Sequence, residues 1–294
     1  MTRAAIGIIG GSGLYAMDGV SDLREIRVET PYGPPSDAVM IGTVDGTPVA
    51  FLPRHGRGHR FAPHEINYRA NIWALKSVGV KWLISVSAVG SLTEEIAPGE
   101  LVIVDQFLDR TRQRASTFFE GGVVAHVGFG NPCCEILRGL LLRACDDVGV
   151  RHHDGGTYVC MEGPQFSTRA ESFMYRGLGA SVIGMTNLPE AKLAREAEMA
   201  YATIAMATDY DCWHETEEHV SVDAVVAVLH ANVVNAQQLL RAVVPMLRTA
   251  PPSEAWTALD FAILTARDAI PATKRRELSL LLDRVLPPAE EIPS

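Results

Sequence analysis

The segment Asp209-Tyr210-Asp211-Cys212-Trp213 carries the most readable chemistry in this chain. It follows an apolar run, 202–207, and a turn-prone Thr208. Two carboxylates at i and i+2 on a strand end share one face, with Tyr210 on the other. Strand ends are where open α/β sheets place their ligands. Two close carboxylates beside an apolar wall resist joint ionisation, so the pair can keep a proton near neutral pH. Such a pair can read a ring nitrogen and an exocyclic amine of a base, and can protonate a leaving base. The plain alternative is two solvated loop aspartates.

Two further segments suit an anion. Gly10-Gly11-Ser12-Gly13 follows a short apolar run, and its glycines let backbone amides approach a phosphate closely. A dinucleotide fingerprint nominally fits Gly11, Gly13 and Ala16, but it needs a helix directly after the glycines, and 17–22 breaks that pattern. A structural turn is the third reading. Arg54-His55-Gly56-Arg57-Gly58-His59 concentrates cationic donors in an acidic protein, either as an anion grip or as a solvated basic loop. Ser85-Val86-Ser87-Ala88 can offer the Ser87 hydroxyl and the Ala88 amide to an oxyanion, although core serines bonded to backbone are as common. Phe166 can stack on a flat ring and Met185 can pack against a sugar; both residue types are also ordinary core. No metal-ligand spacing is present, so no metal is expected.

The elements that must hold these residues alternate. Strands are expected over 6–9, 39–41, 49–52, 82–87, 101–106, 157–160, 181–183 and 202–207, with a turn at Gly90. Helices are expected over 65–78, 134–148, 170–178, 189–200 and from a cap at Ser221, with further helical segments from about 254. That alternation argues α/β. With 294 residues, 47% of them hydrophobic, the chain can build a sizeable core, and 1–294 reads as one domain. A net charge of −9 without a Lys/Arg run argues against a nucleic-acid partner. No apolar run is long enough to span a bilayer. No signal peptide is legible, and five cysteines without a C-x-x-C pair suit a reduced cytoplasmic protein.

Together, Pro53-Arg54-His55-Gly56-Arg57-Gly58-His59, Asn67-Tyr68-Arg69-Ala70-Asn71-Ile72-Trp73-Ala74-Leu75, Glu162-Gly163-Pro164-Gln165-Phe166-Ser167 and Thr208-Asp209-Tyr210-Asp211-Cys212-Trp213 resemble the trimeric purine nucleoside phosphorylases. The likeness runs in matching order from about residue 6 to residue 240. Within the family it is similar to the branch that acts on 5'-methylthioadenosine.

The resemblance implies a nucleoside phosphorylase fold, with a central mixed, partly barrel-like sheet surrounded by helices. It implies a homotrimer, inorganic phosphate as co-substrate and no cofactor. It assigns phosphate to Ser12, Arg54, His55, Ser87, the Ala88 amide and Thr186. Met185 would lie under the ribose, and Phe166 and Ser167 would line the base. His126 would reach the 5' end from a neighbouring subunit, and Val222 and Val225 would line the 5' pocket. Asp209 would donate to N7, kept neutral by burial and by Asp211, while Asp211 would accept from the 6-amino group.

The expected reaction is phosphorolysis of 5'-methylthioadenosine to adenine and 5-methylthioribose 1-phosphate. Phosphorolysis of 6-oxopurine nucleosides (inosine, guanosine or methylthioinosine) is the alternative. Gly184, where the thioadenosine branch commonly has asparagine, leans toward that alternative; the Asp pair and Ser167 lean away from it. A nucleoside-binding or NAD-type protein built on the glycine loop is a third reading, which the missing helix after Gly13 disfavours.

Overall fold

A computed structural model of the chain describes residues 3–11, 13–14, 18–214 and 222–287, without the side chains of 222–227 and 229. Ser12 and Ser221 lie outside the described residues.

The chain opens with β1 (Ile6–Gly10), β2 (Val20–Ile26), β3 (Val39–Val44), β4 (Thr47–Pro53), α1 (Tyr68–Ser77) and β5 (Trp82–Ser91). It continues through β6 (Leu101–Ile103), β7 (Gln106–Arg110), α2 (Glu135–Val148), β8 (His152–Asp154), β9 (Thr157–Met161) and α3 (Arg169–Gly177). Then come β10 (Val182–Gly184), α4 (Asn187–Glu196), β11 (Ala200–Asp209), α5 (Val222–Met246), α6 (Ala272–Glu277) and α7 (Ser279–Leu282). The strands form one mixed sheet, as the expected α/β architecture requires.

β5 is the hub of that sheet. Its first part lies parallel between β1 and β11, and its end pairs antiparallel with β10 through Gly90 and Ser91. The expected turn at Gly90 is therefore absent: the strand runs on, because β10 and β11 both keep hydrogen-bonding partners beside it. The buried runs of β1 and β11 reflect a sheet covered on both faces. One core cluster gathers Ile72 and Leu75 of α1 with Leu193 and Ala194 of α4. A second gathers Leu137 and Leu141 of α2 with Leu239 and Val243 of α5.

Local signals explain most boundaries. The Asn67 side chain accepts from the Ala70 amide and starts α1 three residues later than the periodicity suggests. Gly149, left-handed at φ 70°, ends α2. The expected helix over 189–200 stops at Glu196, and Ala200 already belongs to β11. The expected strand over 101–106 divides into β6, which pairs with β8 and β11, and β7, which pairs with β9. Exposed β2 had no apolar alternation to announce it.

The tail packs back onto the body. Leu278, Leu281 and Leu282 are at most 2% exposed and join the α1–α4 core. Trp256 meets Trp82 edge-on at 5.0 Å. Among the described residues no helix is long and apolar enough to cross a membrane.

Candidate active site

The C-terminal ends of β4, β1, β5 and β11 lie side by side. Pro53 pairs with Gly10, Ile9 with Ser85, and Ala207 with Val89. Arg54, His55, Ser87, Ala88, Asp209 and Asp211 sit in or just beyond the C-terminal halves of these strands.

A bulge between Ala207 and Asp209 shifts the β11 register, so that Asp209 pairs with Gly90. Bulges of this kind re-aim a side chain where a strand leaves the sheet. The strand ends there, and strand alternation does not relate the two carboxylates as the sequence suggested. Asp211 takes a left-handed φ of 52° and opens a short 3-10 turn, Asp211–Trp213. Its backbone N–H donates to Asp209 Oδ1 at 2.8 Å, and Thr208 Oγ1 donates to Asp209 Oδ2 at 2.7 Å. Left-handed backbone is unusual outside glycine, and aspartate is among the residues that tolerate it. The Trp213 indole N–H anchors the turn on the Ser91 carbonyl at 2.8 Å.

Gly90 makes room for the pair. A Cβ there would lie 3.0 Å from Asp209 Oδ1 and 3.3 Å from Asp211 Cβ. Ser167 Oγ donates to Asp211 Oδ2 at 3.5 Å, which brings the two predicted base contacts together. Burial raises the Asp211 carboxyl above its usual range, and the charge of Asp209 adds to the shift.

A second group lies on the same strand. Ser87 Oγ is 3.3 Å from Thr186 Oγ1 and 3.3 Å from Tyr158 Oη, all three residues being buried. Ala88, next along β5, is exposed. Thr186 follows β10, two residues after Gly184, and half-buried Met185 lies between them.

Arg54, only 2% exposed, bonds to β5 at the two residues before Ser87. Its Nε and Nη2 hold the Glu190 carboxylate at 2.7 and 2.9 Å. Nη1 donates to the Val86 carbonyl at 2.9 Å, and Nη2 also donates to Ser85 Oγ at 2.6 Å. Burial works against the Arg54 charge, but Glu190 more than offsets it. The fork that the sequence reserves for an anion thus has one edge closed on a carboxylate of α4.

His55 is half-buried. Its Nδ1 donates to the Phe61 carbonyl at 2.8 Å, since a carbonyl oxygen only accepts. Burial, then the charges of Arg54 and His59, push its pKa down to about 4. His59 stacks on it at 4.2 Å. At neutral pH the imidazole is therefore neutral, with Nε2 left as an acceptor.

Two expected site residues lie on the surface. Phe166 is 81% exposed. His126 is also exposed, on a segment bridged to the tail, where its N–H donates to the Ala262 carbonyl at 2.8 Å. Beside it stand Phe261, 98% exposed, and the exposed Leu264 and Val124. Val222 and Val225 open α5, but their side chains, like Ser12, lie outside the described residues.

The sequence marks Gly90 only as a turn and gives Tyr158, Glu190 and Arg114 no place in the site. Arg114 Nη1 donates to the carbonyls of Met185 at 2.6 Å and Leu188 at 2.7 Å, and Nη2 donates to the Glu162 carbonyl at 2.6 Å. It ties the loop before Phe166 to the loop carrying Met185. Its charge in a segment without periodicity was the only local signal. Among the described residues no three His, Cys, Asp or Glu side chains group as metal ligands.

The sequence profile of the Phosphorylase superfamily matches residues 5–245. The chain belongs to the phosphorylase superfamily. It is 56% identical over 278 residues to S-methyl-5'-thioadenosine phosphorylase of Geobacter sulfurreducens, covering 94% of this chain and 97% of that one. It is 56% identical to the enzyme of the same name from Synechocystis sp., covering 98% of this chain and 90% of that one. A methylthioadenosine phosphorylase from an antarctic soil metagenomic library superposes with a TM-score of 0.93 at 51% identity, over 96% of this chain and 100% of that one. The apo methylthioadenosine phosphorylase of Schistosoma mansoni gives 0.79 at 32% identity, over 96% and 98% of the two chains. The superfamily architecture expected from the sequence, a mixed sheet flanked by helices, is borne out. The superfamily profile stops before α6 and α7, whereas these relatives extend over nearly the whole chain.

Proposed function

We propose that this superfamily member carries out phosphorolysis of 5'-methylthioadenosine, giving adenine and 5-methylthioribose 1-phosphate. One observation supports this reading most. Strand β5 carries Ser87, beside Thr186, and Gly90, beneath the Asp209–Asp211 pair. Three residues of strand span about 10 Å, the scale of one nucleoside. An anion site and a base-reading site on that spacing suit attack at the glycosidic carbon between them.

In the proposed mechanism, hydrogen phosphate sits among Ser12, Ser87, the Ala88 amide and Thr186, beside Arg54. Neutral His55 accepts a hydrogen bond from the phosphate O–H. A phosphate oxygen bonds to C1' as the C1'–N9 bond breaks and its electron pair enters the purine. Asp209 donates the proton needed at N7, with Asp211 beside it in the carboxylate pair. Asp211, with Ser167, reads the amino edge. Met185 packs under the ribose, Phe166 covers the base, and Val222 and Val225 leave an apolar 5' pocket. Fixed donors around both charge centres typically lower such barriers by several kcal/mol. The reaction so drawn needs phosphate and no cofactor.

The working form in this proposal is a homotrimer. Phe261, Leu264 and Val124 form the apolar contact, and His126 among them serves a neighbour's 5' site. Five free cysteines, four of them buried, suit a reducing cytoplasm. Initial rates with 5'-methylthioadenosine, adenosine, methylthioinosine and inosine at saturating phosphate test the substrate assignment. The expected order has 5'-methylthioadenosine first, by at least about tenfold in kcat/KM. Inosine in first place would replace this reading with the 6-oxopurine one.

A further inference from the structure

Gly184 and Tyr158 occupy one space. A Cβ on Gly184 would lie 2.0 Å from Tyr158 Oη and 2.6 Å from its Cζ. The two residues sit on adjacent parallel strands, where Val182 pairs with Tyr158 and Gly184 with Cys160. Tyr158 and Gly184 are thus diagonal neighbours on one sheet face. The missing side chain lets the phenol reach across β10 toward β5. Phe107 holds the ring edge-on at 5.8 Å, and the whole residue is buried.

The hydroxyl ends 3.3 Å from Ser87 Oγ. A buried phenol O–H requires an acceptor, and among the described residues Ser87 Oγ is a side-chain oxygen in reach. Ser87 has one proton and, besides Tyr158, faces the Ala88 carbonyl and Thr186 Oγ1, each at 3.3 Å. When Tyr158 donates to Ser87, one serine lone pair is engaged and the serine keeps its own proton to donate onward. Without the phenol, Ser87 Oγ loses one of its three anchors and keeps the Ala88 carbonyl and Thr186 Oγ1 as partners.

We propose that Tyr158 is a positioning residue of the phosphate site: its hydroxyl orients Ser87, and Gly184 is the residue that admits it. The inference rests on Ser87 being a phosphate ligand, as proposed above. The test is steady-state phosphorolysis with phosphate and 5'-methylthioadenosine varied independently, in Tyr158→Phe, Ser87→Ala and the double variant. Tyr158→Phe should raise KM for phosphate about five- to tenfold, the scale of one hydrogen bond, while changing KM for the nucleoside less than about twofold. In the Ser87→Ala background the same change should cost little more, because the group it orients is gone. Gly184→Ala should lower Tm by about 5 °C in the natural chain and by much less beside Tyr158→Leu, where the ring is removed. If Ser87→Ala leaves phosphate KM unchanged, the phosphate-site reading fails. If Ser87→Ala raises it and Tyr158→Phe does not, or if the two effects simply add, Tyr158 is not the positioning residue.

Discussion

Asp209 fixes Asp211: its Oδ1 accepts the Asp211 backbone N–H at 2.8 Å and holds that residue in left-handed backbone beside the end of β11. The two carboxylates are therefore one unit, with Thr208 closing it on one side and Ser167 on the other.

Asp209→Asn separates position from proton. The asparagine carbonyl can still accept from Asp211, so the turn should survive. The proton route to N7 is lost, and kcat on 5'-methylthioadenosine should fall by about 10²- to 10⁴-fold. Rates on methylthioinosine should fall far less, because an amide can donate to a 6-oxo purine. Parallel losses on both substrates would remove Asp209 from base selection.

Gly90→Ala tests the space beneath the pair. The added methyl would press on Asp209 Oδ1 at 3.0 Å and on Ile183 Cγ2 at 3.2 Å. Displacing the pair by a few tenths of an ångström should lower kcat/KM by about tenfold or more, with a modest change in Tm. Full activity in this variant would show that the pair tolerates movement.

Glu196 gives a stability signal separate from catalysis. Its carboxyl is buried, accepts from the Phe118 N–H and from Thr117 Oγ1 at 2.7 Å each, and is raised to about 6. Burial is the main cause, opposed by those two hydrogen bonds. A group raised in the folded state adds stability below its unfolded pKa and loses that contribution as pH rises through the folded value. Between about pH 4.5 and 6 the unfolded chain gives up this proton before the folded one, a difference of about 2 kcal/mol. Urea unfolding should therefore show Glu196→Gln gaining about 1–2 kcal/mol relative to the natural chain between pH 4.5 and pH 8. A pH-independent difference between the two proteins would contradict the assignment.

Phe261→Glu tests the proposed assembly. Phe261 is 98% exposed beside Leu264 and Val124, on the segment that carries His126. A charge there should move the sedimenting species from trimer to monomer and lower kcat/KM by about tenfold or more, as the neighbour's contribution is lost. A natural chain that sediments as a monomer with full activity would remove the trimer from the mechanism.

The sequence disclosed the parts of this molecule that are local. Buried runs such as 6–9 and 82–87 and the periodicities of α1 and α2 gave strands and helices where the structure has them, with ends displaced where caps and pairing decided. The residues that line the site were legible because hydroxyls, cations and paired carboxylates have recognisable chemistry. What stayed hidden depends on long-range pairing. Glu190 meets Arg54 across 136 residues, and Arg114 gathers carbonyls from two loops nearly 50 and more than 70 residues away. The left-handed turn at Asp211 replaced strand alternation because its partner, the Asp209 side chain, lies outside any backbone periodicity. Gly184, a sign of substrate preference in the sequence, also leaves the space that Tyr158 fills.

The most direct measurement is the fate of 5'-methylthioadenosine incubated with the purified chain, with and without inorganic phosphate, followed by product identification. Phosphorolysis predicts adenine and 5-methylthioribose 1-phosphate in equal amounts, with release that saturates in phosphate and stops without it. Adenine release at an undiminished rate without phosphate, with free 5-methylthioribose as the second product, would contradict it and make the reaction a hydrolysis.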